Sequence, residues 1–85
     1  MAYMKPIINI NGATRESHVQ ARLDARAYML KAIEAMSELR PHGRDYLGDM
    51  VRLYADMQIY NERQAMLNKL YNELEMEALE ISNSN

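Results

Sequence analysis

Apolar and aromatic side chains recur at alternating steps of three and four from Met50 onward: Met50, Leu53, Met57, Tyr60, Gln64, Leu67, Tyr71, Leu74, Ala78 and Ile81. Gln64 is the only clearly polar member, and no Gly or Pro interrupts the run after Gly48. That period draws one continuous line along an α-helix, which the spacing predicts from Asp49 to Ile81. At ~1.5 Å per residue such a helix is about 48 Å long. A second apolar line, Ala55, Ile59, Met66 and Leu70, lies on another face of the same helix.

The preceding stretch carries a shorter helical pattern. Val19, Leu23, Ala27, Leu30 and Ile33 form a stripe flanked by Met29 and Met36. Thr14 is placed to cap its start, with Glu16 in the first turn. Pro41 disfavours helical geometry at Arg40, which predicts the helix end there. The link Pro41-His42-Gly43-Arg44-Asp45-Tyr46-Leu47-Gly48 is short enough to join antiparallel neighbours. Gly43 suits a left-handed turn, and Asp45 or Asp49 is placed to cap the second helix. The expected fold is all-α: an antiparallel two-helix hairpin over residues 14–81, a tail at 82–85 that frays, and an N-terminal arm at 1–13. In that arm Pro6-Ile7-Ile8-Asn9-Ile10 reads as extended before an Asn11-Gly12 turn. Such a segment either packs along the helices through Ile8 and Ile10 or pairs with a copy of itself.

Composition narrows the class. An 85-residue chain with no Cys has neither disulfides nor thiolate metal sites to reinforce a small core. Chains of this kind often complete their burial by self-association. One short helix cannot cover two apolar faces of a longer one, so Met57, Ile59, Met66 and Leu70 are read as a homo-oligomer interface through the second helix. A formal net charge of −2 argues against general nucleic-acid binding. No apolar run approaches a membrane span and no signal-peptide core opens the chain, so a cytoplasmic protein is expected. Eight Met and six Tyr without Phe or Trp supply adaptable, amphipathic packing.

Candidate chemistry is sparse. Arg22 and Arg26 interrupt the apolar face of the first helix, and folding the chain about Asp45 sets Arg26 opposite Gln64. Two readings stand side by side: a buried polar layer that fixes register, or a cavity whose guanidinium groups hold a phosphate or carboxylate. In the link, His42, Arg44 and Tyr46 offer a cation, an aromatic plane and backbone N–H groups to a phosphate-bearing ligand, or are plain loop residues. The helix-ending acids Glu73, Glu75, Glu77 and Glu80 oppose the macrodipole, and Arg15 and Arg22 across the hairpin are their expected counter-charges. The Asp and Glu side chains, these included, are expected on solvent faces. His18 and His42 lack companions at metal-ligand spacing. Adjacent Ser17 and His18 point about 100° apart on a helix and cannot act as nucleophile and base. No catalytic residue, metal or cofactor is expected.

The segments Ile10-Asn11-Gly12-Ala13-Thr14 and Pro41-His42-Gly43-Arg44-Asp45-Tyr46 resemble a group of small helical-hairpin proteins of tailed phages and prophages. Those proteins look like an I-N-G-T-S opening followed by a P-N-G-R-D-Y link. Here Ala13-Thr14 replaces Thr-Ser and His42 replaces the link Asn. The resemblance implies an accessory role in the cytoplasm of an infected bacterium and carries no activity. The expected function is an anti-defence sponge that sequesters a nucleotide second messenger, with Arg22, Arg26, His42, Arg44, Tyr46 and Gln64 toward the ligand. The alternatives are an inhibitor that docks its acidic helix end on a host defence protein, and a structural phage component.

Overall fold

A computed structural model describes residues 3–9 and 11–84. Two helices dominate it, α1 (Arg15–Met36) and α2 (Met50–Asn83), folded back on each other as a hairpin 62 Å in its longest dimension. No strand occurs among the described residues. Both helix starts follow from local chemistry. Thr14 Oγ1 accepts from Ser17 N at 3.1 Å and Asp49 Oδ1 from Arg52 N at 3.1 Å, each satisfying a donor that the first turn leaves open.

The helix ends depart from expectation. α1 stops at Met36, and the chain tightens into a 3-10 turn over Ser37–Leu39. Arg40 is extended (φ −59°, ψ 123°) as the residue before a proline must be, and Ser37 Oγ donates to Glu34 O in the last helical turn. α2 in turn continues through Ser82 and Asn83, and Ser84 donates from both N and Oγ to Ile81 O. Ser82 and Asn83, expected in the tail, are therefore helical, and Ser84 caps the helix.

The link holds a second correction. Gly43 opens a short 3-10 turn, Gly43–Asp45, and does not adopt a left-handed conformation. The reversal falls instead on Leu47 (φ 50°) and Gly48 (φ 86°), directly before the Asp49 cap. Non-helical chain thus extends from Ser37 to Asp49, and the hairpin pivots about Asp49 rather than Asp45. Arg22 then meets Glu77, and Arg26 meets Glu75. The expected apposition of Arg26 and Gln64 does not form.

The α2 line packs as its period requires. From Leu53 to Leu74 its members are half-buried, and Ala78 and Ile81 are buried; only Met50 at the start stays exposed. α1 turns somewhat from its expected stripe. Val19, Arg22, Arg26, Met29, Ile33 and Met36 face α2, while Leu23 and Leu30 remain exposed. A single helix shields another from one side only, which is why most facing residues stop at partial burial. Complete burial occurs where a third element is present. Met4, Lys5 and Pro6 lie beside Glu80, Ile81 and Ser84, and Met4 N donates to Glu77. Residues 3–9 form neither helix nor strand; Ile8 is half-buried, and Ile10 lies outside the described residues.

Candidate functional site

The sequence-designated residues fall into two groups, one toward each end of the hairpin. Arg22 and Arg26 lie toward the open end; His42, Arg44 and Tyr46 lie at the turn. Arg26 stands ten residues before the end of α1, about 15 Å along its axis. The two groups therefore do not converge on one pocket, and Gln64 joins neither, since its Nε2 donates to Tyr60 Oη on the same helix at 3.0 Å.

At the open end the arginines are already engaged. Arg22 Nε donates to Glu77 Oε2 at 2.7 Å, and Nη1 donates to the His18 carbonyl at 3.1 Å while lying 3.4 Å from His18 Nδ1. Nη2 points at the Met4 sulfur, 3.8 Å away. Glu77 uses its other oxygen, Oε1, to accept from Met4 N at 2.6 Å. The side chains of Arg22 and Glu77 are only 14% and 11% exposed, so this is a largely desolvated pair in which each carboxylate oxygen accepts a hydrogen bond. Glu77 corrects the expectation that the acids lie on solvent faces. Arg26 lies over the Tyr71 ring, 4.1 Å from its centroid, with Nη2 3.1 Å from Glu75 Oε2 in a more exposed pair. Its Nε, like that of Arg15, is buried without a hydrogen-bond partner. Arg22 thus supplies the counter-charge expected across the hairpin, Arg26 adds another, and Arg15 has no carboxylate in salt-bridge range among the described residues.

The turn end is more open. Arg44 lies on a groove of about 500 Å³ with His42, Arg40, Leu53 and Met57. His42 Nδ1 accepts from Arg44 N at 3.4 Å, and the Arg44 side chain has no carboxylate in salt-bridge range among the described residues. Tyr46 reaches across the turn instead, and its hydroxyl donates to Asp56 Oδ2 at 2.7 Å. That hydrogen bond is the main cause that raises the Tyr46 phenol above the ordinary tyrosine value. The same two residues line a neighbouring cleft of about 290 Å³ with Met36, Ile59, Tyr60 and Arg63. Asp56 and Arg63 are site features that the sequence reading missed. They share an α2 face two turns apart, but nothing in their spacing points to Tyr46.

The second apolar line of α2 is bare: Ile59, Met66 and Leu70 are 45%, 65% and 42% exposed. Met57, grouped with them from sequence, sits instead on the packed line and is half-buried at the turn groove. Among the described residues no three His, Cys, Asp or Glu side chains are placed to hold a metal ion, and no helix is long and apolar enough to cross a membrane. Compared with known protein families, curated proteins and solved structures, the chain matches none.

Proposed function

We propose that this protein works by binding rather than by catalysis, as a helical hairpin that self-associates through α2. The observation that supports this reading is the mismatch between its interior and its surface. Ala78 and Ile81 are the only buried hydrophobic residues among those described, whereas Val51, Tyr54, Ile59, Met66 and Leu70 stand exposed on one helix. Full burial contributes about 1.5–3 kcal/mol for Ile81 and ~0.8 kcal/mol for the Ala78 methyl, far less than the ordering entropy of a chain this size. A second copy laid on α2 supplies the missing burial. The N-terminal segment serves in the same reading as an arm that closes the open end through Met4. Because the partner binds only the folded form, the melting temperature should rise by several degrees between about 1 and 100 μM protein. A melting temperature independent of concentration would count against self-association.

A ligand role is placed at the turn. Arg22 and Arg26 already hold carboxylates, so a nucleotide phosphate there would have to displace Glu77 or Glu75. The Arg44 guanidinium has no such competitor among the described residues. Sequestration of a nucleotide second messenger therefore rests on Arg44 with His42, and Tyr46 beside them. Titration calorimetry against cyclic dinucleotides should give saturable heats for the wild type that disappear in Arg44→Ala. No binding below ~100 μM, about −5.5 kcal/mol, would remove this role and leave self-association standing.

A further inference from the structure

We infer that the second copy packs antiparallel to the first, α2 against α2, about a two-fold axis beside Met66; this rests on the self-association proposed above. The bare line on α2 has definite ends. Toward the C-terminus the same face reaches Glu73 and Glu77, where Met4 N hydrogen-bonds to Glu77 and residues 4–6 lie alongside the last turns. What remains open runs from Ala55 to Leu70, about 22 Å of helix.

Charge along one border of this strip selects the occupant and its direction. Glu62 and Lys69 are a heptad apart, opposite in sign, and nearly equidistant from Met66. Within the hairpin neither is neutralised. Lys69 has no carboxylate in salt-bridge range among the described residues, and Glu62 only accepts a 3.4 Å contact from Gln58 Nε2. An antiparallel copy centred beside Met66 brings Glu62 against the partner's Lys69 and Lys69 against the partner's Glu62. It also sets Ile59 toward the partner's Leu70, so large side chains meet across the axis at both ends of the strip. A parallel two-fold copy would instead set this border against the opposite one, where Lys69 finds Leu70 at its height and no carboxylate. The opposite border offers a rival pair, Asp56 and Arg63, which would centre the contact nearer Ile59; but Asp56 already accepts from Tyr46 at 2.7 Å. The isologous arrangement about Met66 thus uses the charges that the hairpin leaves free.

Charge reversal tests it by sedimentation velocity, with circular dichroism confirming that each variant is folded. Glu62→Lys and Lys69→Glu should each weaken self-association about tenfold (~1.4 kcal/mol), because two attractive contacts become repulsive. The double variant, and an equimolar mixture of the two single variants, should return to within about threefold of wild type. Single variants that associate like the wild type, or a double variant no better than its parents, would overturn the antiparallel arrangement while leaving self-association in place. A wild type that stays monomeric at every concentration, or that sediments only with a different protein, would overturn both.

Discussion

Glu77→Ala is expected to destabilise the protein by about 3 kcal/mol, the largest effect of any single truncation on α2. Glu77 is 8% exposed, and its two oxygens serve different elements: Oε2 accepts from Arg22 of α1 and Oε1 from Met4 of the N-terminal segment. Removing the carboxylate leaves the Arg22 charge largely desolvated, with only the His18 groups and the Met4 sulfur beside it. It also deprives the Met4 N–H of its acceptor, so residues 4–6 lose their polar attachment next to Ile81. Glu77→Gln keeps an acceptor and the side-chain volume but not the charge, and should fall between wild type and Glu77→Ala. Joint replacement of Arg22 and Glu77 by Leu should cost less than Glu77→Ala, because no unpaired charge then remains. Urea denaturation at fixed protein concentration measures all three. A loss below about 1 kcal/mol for Glu77→Ala would mean that the pair behaves as an ordinary surface ion pair.

The second large effect concerns association. Ile59→Lys combined with Leu70→Lys should weaken self-association by about 100-fold or more, since four apolar side chains across two copies lose their burial. Both residues are already 42–45% exposed in the hairpin, so its own packing should change little. Tyr54→Lys provides the comparison: this residue is 65% exposed but lies well around the helix from Ile59, and its replacement should leave association nearly unchanged. Equal losses from Tyr54 and from the Ile59–Leu70 pair would show that general hydrophobicity, not this face, drives assembly.

Much of the scaffold was legible in the residues. The α2 line keeps a strict helical period over more than eight turns, and the caps Thr14 and Asp49 are short polar side chains at the points where the period begins. The pivot of the hairpin was not legible. It depends on how much chain the link consumes, and two 3-10 turns together with a left-handed Leu47 carry the reversal past Gly43. A leucine at φ 50° offers no signal of its own. That shift moved every cross-hairpin pair, so Arg26 met Tyr71 and Glu75 where Gln64 was expected. Glu77 was hidden for a different reason. Acids on a long helix are ordinarily solvated, and its burial comes from Met4, a residue 73 positions away, together with Arg22. The division of the candidate site follows from the same geometry: Arg22 and Arg44 share a residue type and a charge, yet a hairpin places them toward opposite ends of a rod.

Sedimentation equilibrium of the full chain at micromolar concentration addresses self-association most directly. A folded two-copy assembly has twice the 9.9 kDa chain mass, and that mass or a higher multiple is the expected result. A particle of 9.9 kDa that still unfolds cooperatively would show that the bare face of α2 needs no partner.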